Sequence, residues 1–228
     1  MLIYAIKIKK LFSLFYLLYL PILILLILIF LVSWKTGIPV KVFTQDPAVV
    51  AGKAGLTSSM EFAINPFLGI ISYLGVLFWC VCTSVCYFGF LLITETNQRK
   101  NNRALFLRFF GSITLFLLFD DLFLFHESLA PNLFIPEKLV YICYALTVLY
   151  GFIRFRKVIL QTQWTILLGA MIFFFLSLLI DTFGVGPDRA NLNFILEDGF
   201  KLLGIASWSL YFSITSFQFV QNTKIDLA

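Results

Sequence analysis

The sequence predicts an all-α polytopic membrane protein, a transmembrane helix bundle of about six spans with both termini on the cytoplasmic side. Three observations predict it. Of 228 residues, 61% are apolar and only 13% charged, against roughly 25% charge in soluble domains; with a mean hydropathy of +0.96, the chain holds more hydrocarbon than a water-soluble core absorbs. The apolar residues gather into about six runs, each near the ~20 residues that cross ~30 Å of hydrocarbon as a helix. Lysine and arginine concentrate at alternate ends of those runs, which is how cytoplasmic loops are marked.

The first run opens on Lys7, Lys9 and Lys10 and is apolar from Leu11 to Val32. It is too long for the apolar region of a secretory signal, and no small-x-small cleavage site follows Val32, so it reads as a retained span at 11–32. Pro21 lies inside it, where a bilayer-embedded helix tolerates the kink. A long outer loop, 33–66, contains TQDPAVVAGKAGLTSS. Asp46 before Pro47 suits an N-cap and a first helical position, giving a short helix that ends at Gly52 or Gly55. The loop suits a cover over the outer helix ends and a plain connector equally. Further spans follow at 67–93, 104–126, 138–153, 164–183 and 199–220. The fourth is short, and the fixed φ of Pro136 suits its first turn. With no internal repeat or second domain visible, residues 1–228 read as a single membrane domain.

Six crossings place Lys7, Lys9, Lys10, Arg99, Lys100, Arg103, Arg108, Arg154, Arg156, Lys157 and Lys224 inside, eleven of the 17 basic residues. The net charge of +5 thus reports orientation; it forms no single basic face for nucleic acid. The partner it implies is the lipid bilayer. Acidic residues contribute little to the orientation rule, yet they partition too. Only Glu95 and Asp226 fall inside, and the other ten of the 12 acids lie on the outer side. Of the four cysteines, Cys80, Cys82 and Cys86 share one apolar run and Cys143 lies in another, which fits small buried side chains and neither a disulfide framework nor a zinc pair.

Three segments carry the unusual residues: FDDLFLFHES in the third span, SLLIDTFG ending the fifth and LEDGFK opening the sixth. All three emerge on the outer face. Asp120 and Asp121 lie a turn or more below the surface, and Asp181 at a similar depth. An ionised side chain at the bilayer centre costs roughly 2.5–3.5 kcal/mol on insertion scales, so such residues face a partner or a cavity and point to function. The polar cluster comprises Asp120, Asp121, His126, Glu127, Ser177, Asp181, Glu197, Asp198 and Lys201. On an unbroken helix Asp120 and Glu127 share a face about 10.5 Å apart along the axis, with His126 about 120° away. A metal site therefore needs ligands from several helices, and Asp120, Asp121, His126, Asp181 and Glu197 supply the oxygen donors and the one imidazole for a divalent cation. A three-histidine zinc site is ruled out by the single histidine. The bland reading is a buried network closed by Lys201. Glu197 and Lys201 sit four apart in the favourable order near a helix N-terminus, and Ser177, one turn before Asp181, is placed to donate to it.

FDDLFLFHES, RFRKVILQTQ, SLLIDTFG and LEDGFKLLGIASW together resemble uncharacterised polytopic membrane proteins of cyanobacteria and other bacteria. That resemblance implies a bacterial inner (cell) membrane, or a thylakoid membrane in a cyanobacterium. Ser112 followed by Asp120 and Asp121 is dimly similar to the alkaline ceramidase superfamily of membrane hydrolases, but the histidines that bind zinc in that family are missing, since the last span reads EDGFK. The chain carries no haem, nucleotide or flavin signature.

Three functions fit these residues. The first is a cation or proton binding or transport site. The second is a metal-dependent membrane hydrolase acting on a lipid-like substrate from the outer leaflet. The third is a structural or accessory subunit, in which the acids pair with bases of the chain itself, of a membrane-protein partner or of a second copy.

Overall fold

The structure, a computed structural model, describes residues 2–44, 67–95, 102–184 and 190–225. Among the described residues the chain is all-α, without strands. In order it runs α1 (Leu2–Thr36), α2 (Lys41–Thr44), α3 (Ile70–Glu95), α4 (Asn102–Phe123), a π-helical turn (Phe125–Leu129), α5 (Ala130–Asn132), α6 (Glu137–Arg154), α7 (Arg156–Leu160), α8 (Trp164–Phe183) and α9 (Ala190–Ile225). Among the described residues three segments are long and apolar enough to cross a membrane: Phe15–Thr36 within α1, Ile70–Glu95 and Trp164–Phe183. The third, fourth and sixth expected spans overlap α4, α6 and α9. Those helices are less apolar: Arg103, Arg108, Asp120 and Asp121 lie in α4, Glu137, Lys138 and Arg154 in α6, and a string of Ser, Thr, Asn and Gln in α9.

Several boundaries differ from the hydropathy reading because helices extend past their apolar stretches. Pro21 sits inside a continuous α1. Pro136 is the residue before α6, in extended conformation at φ −61° and ψ 133°, so its ring precedes the first turn rather than occupying it. After Thr36, Gly37 takes φ +74° and donates its N–H to the Ser33 carbonyl, a left-handed residue that closes a helix without a Cβ penalty. The short buried turn α2, with Val42, Phe43 and Thr44 inside, has no counterpart in the sequence reading. The helix expected to start at Asp46 lies outside the described residues.

The chain divides into two compact units, 1–75 with 171–206 and 76–170 with 207–228. In the first, packing rests on small residues beneath large ones, as membrane helices require when lipid is as apolar as leucine. The Leu26 side chain packs over Gly199, the Phe174 ring over Gly204, and Phe173 stacks on Phe200. The Asn191 side chain accepts the Val40 N–H at 3.1 Å.

The second unit is built around aromatic rings. Phe106, Phe110, Trp208, Tyr211 and Phe212 are fully enclosed. Phe110 alone meets Phe106, Phe109, Phe152, Phe155, Trp208 and Phe212 with ring centroids 4.9 to 6.2 Å apart. Offset and edge-on pairs of this kind contribute about 0.5–1.5 kcal/mol each beyond area burial. Two polar groups inside bond across helices: Trp208 Nε1 donates to Thr114 Oγ1 at 3.1 Å, and the Ser216 hydroxyl donates to the Val85 carbonyl at 3.1 Å. Gly89 faces Ser216 so closely that a Cβ at 89 would overlap its hydroxyl. Gly89→Val is therefore expected to lower stability by about 1–3 kcal/mol, read as a lower unfolding temperature of the detergent-solubilised protein, whereas Gly169→Val, with open space at the Cβ position, is expected to change it little.

Candidate functional site

In the second unit, α4 stops at Phe123 because Leu124 turns left-handed, with φ 51° and ψ 44°, and the chain continues through the π-helical turn Phe125–Leu129. A bulky non-glycine residue in that region costs about 1–2 kcal/mol. Something must hold it there, and the geometry identifies Asp120. Its carboxylate accepts the His126 backbone N–H at 2.9 Å through Oδ1 and lies 2.7 Å from His126 Nδ1 through Oδ2. Both residues are nearly enclosed, Asp120 at 5% and His126 at 4% exposure.

The break overturns one expectation from the unbroken helix: His126 does not point 120° away from Asp120. The left-handed residue folds it back, so residues six apart become one hydrogen-bonded pair. An ionised carboxylate can only accept, so beside ionised Asp120 a neutral His126 holds its proton on Nδ1. The same partnership orients histidines in metal and catalytic sites.

Aromatic residues complete the surroundings. Tyr141 packs its ring against His126 with centroids 5.0 Å apart and is bonded through its hydroxyl to Glu137 at 3.1 Å. Tyr144, one turn further along α6, lies beside Asp120 and within electrostatic reach of Asp121. Asp121 points elsewhere on α4, as its 100° step predicts, and accepts the Trp79 indole N–H from α3 at 2.7 Å. Trp79 in turn meets Trp208 edge-on at 6.4 Å. Trp79→Phe, which removes the donor and leaves a smaller ring in a buried site, is expected to cost at least the roughly 1.5–3 kcal/mol of a hydrogen bond to a charged group, measured by unfolding in detergent; Asp121→Asn should cost less, since the amide oxygen still accepts.

Glu127 belongs to the π-helical turn, and its side chain lies outside the described residues. The remaining predicted residues belong to the other unit. Asp181 is exposed in the last turn of α8 and Ser177 is half-exposed. No hydrogen bond joins them: one turn apart their Cβ atoms are about 5–6 Å from each other, beyond the reach of two short side chains that do not lean together. Glu197, Asp198 and Lys201 are partly buried on α9, and each is engaged in an interaction. Among the described residues no three His, Cys, Asp or Glu side chains converge as a metal group. Ser112, the residue of the ceramidase-like comparison, shares a 2.9 Å hydrogen bond with the Tyr87 hydroxyl and donates to the Arg108 carbonyl at 3.0 Å. It sits eight residues, about 12 Å along the axis, from Asp120.

Sequence reasoning missed Leu124, Trp79, Tyr141 and Tyr144. Three of them had a legible signal. A buried indole N–H seeks an acceptor, and tyrosines at i and i+3 share a helix face. Leu124 had none, since leucine is a strong helix former.

No curated protein and no solved structure matches the chain. Residues 18–215 match a family model described as Domain of unknown function (DUF8692), and because that match spans most of the sequence, the chain belongs to this family.

Proposed function

We propose that the protein is a multi-pass bacterial inner-membrane protein of six spans with both termini cytoplasmic, and that the Asp120–His126 pair is a proton-binding site near the outer face, serving proton or cation transport. The observation that carries the reading is the 2.7 Å contact between two titratable side chains, both almost sealed from the surroundings. Intramembrane pairs of Asp with His serve as proton relays. Asp120 lies about 27 Å along α4 from Asn102 at 1.5 Å per residue, so a helix entering from the cytoplasm delivers it near the opposite interface. With Nδ1–H committed to Asp120, Nε2 is the nitrogen that gains and releases the proton. The outer placement of ten of 12 acids supports a site loaded from that side.

The test is proton flux. Full-length protein reconstituted into vesicles with a trapped pH-sensitive dye is expected to dissipate an imposed pH gradient faster than protein-free vesicles, and Asp120→Asn to remove the difference. Flux unchanged by the substitution would sink the assignment.

A further inference from the structure

A second charged feature lies at the opposite end of α6. The segment Arg154-Phe155-Arg156-Lys157 alternates ring and cation, and the structure exploits the alternation. Phe155 is buried against Phe106, Phe109 and Phe110 at 5.6, 5.6 and 6.2 Å, and it breaks the helix at φ −107° and ψ 17° between α6 and α7. Anchoring that ring turns Arg154, Arg156 and Lys157 outward, and all three are exposed. Between them opens a crevice of about 270 Å³ lined also by Asn102 and Val158. Arg154 rests its guanidinium on the Phe155 ring at 5.3 Å. Among the described residues no carboxylate is seen to pair with any of the three cations, in contrast to the ion pair of His126 with Asp120. Among its described lining residues the crevice thus presents three positive charges, an amide and no acid, in a volume that admits a phosphate group.

We infer that this crevice binds an anionic phosphate group, the source being either the phosphodiester of an acidic phospholipid or free phosphate. Two guanidinium forks and an ammonium match phosphate oxygens, and basic pockets at the cytoplasmic ends of membrane helices bind acidic head groups. The phosphate chemistry stands independently of the Asp120–His126 reading. Only the assignment of a lipid source to the inner leaflet rests on the six-span topology.

Full-length protein in a neutral detergent is titrated separately with short-chain phosphatidylglycerol, short-chain phosphatidylcholine and inorganic phosphate. The comparison proteins are Arg154→Gln/Arg156→Gln/Lys157→Gln and the control Arg103→Gln/Arg108→Gln, whose arginines lie over Phe219 and Phe90 instead. Phosphatidylglycerol is expected to bind in preference to phosphatidylcholine, with about a hundredfold loss in the triple variant, from three surface charges, and little in the control. Saturable binding of inorganic phosphate, lost in the same variant and without preference for the lipid, assigns the free anion as source. Arg156→Gln alone gives about a fivefold loss and serves if the triple variant does not fold. Equal affinity of wild type and crevice variants for both anions, or an equal loss in the control, overturns the inference. Proton flux unaffected by the crevice variants leaves the two sites separable.

Discussion

Asp120→Asn is expected to reduce proton flux roughly hundredfold or more, the lower range for removing a positioned proton-transfer group, while the protein remains folded. The amide keeps an oxygen for one of the two bonds that Asp120 makes to His126, so the break at Leu124 has a partner left. It removes the charge that a protonated imidazole needs beside it in a low-dielectric site. His126→Gln is expected to act in the same direction, because glutamine can donate to Asp120 but cannot carry the second proton. Asp121→Asn is expected to leave flux within a few fold of wild type, since Asp121 accepts from Trp79 while the carboxylate on His126 Nδ1 is that of Asp120. The vesicle dye assay reads all three, and a loss as large in Asp121→Asn as in Asp120→Asn would mean that the acids act as a generic charge cluster.

Stability is expected to separate the two members of the pair. Asp120→Ala leaves both a buried backbone N–H and a buried ring N–H without their acceptor and should cost about 3–5 kcal/mol, as when one partner of a buried charged pair is removed. His126→Ala leaves the carboxylate still bonded to the N–H of residue 126, so it should cost about 1–3 kcal/mol. In a double-mutant cycle the pair should couple by about 0.5–3 kcal/mol. Equal costs for the two alanine variants would contradict the role of Asp120 as the anchor of the π-helical turn. The anchor also predicts the behaviour of Leu124: Leu124→Gly is expected to be more stable than Leu124→Ala by about 1 kcal/mol, because glycine removes the left-handed penalty that alanine retains. Unfolding in detergent measures each difference.

How far the sequence alone carries depends on the kind of signal. The fifth expected span and α8 share the bounds 164–183, because there hydropathy and helix end together at Trp164 and Phe183. In α9 they do not: polar turns at both ends, from Asn191 and Asn193 to Gln221 and Asn222, continue the helix over 36 residues where a hydropathy reading stops. Asp120 and His126 were each legible, one as a deep acid and the other as the sole imidazole. Their pairing was not, because it depends on a left-handed leucine in a run whose local preference is helical. Asp121 illustrates another case, since its 100° offset from Asp120 on α4 was legible, and its acceptor role toward Trp79 needed the fold. The aromatic packing around Phe110 was hidden for a simpler reason: phenylalanines that face lipid and those that face protein have the same hydropathy.

The sole histidine makes the central claim directly measurable. In protein labelled with ¹⁵N-histidine and placed in lipid nanodiscs, the imidazole nitrogens of one residue, His126, give the whole signal. At neutral pH Nδ1 is expected to carry the proton and Nε2 to be bare; acidification within the folded range should protonate Nε2, and Asp120→Asn should abolish the Nδ1–H preference. A histidine that holds the other tautomer, keeps one protonation state throughout, and looks the same in Asp120→Asn would contradict a proton site built by Asp120 and His126.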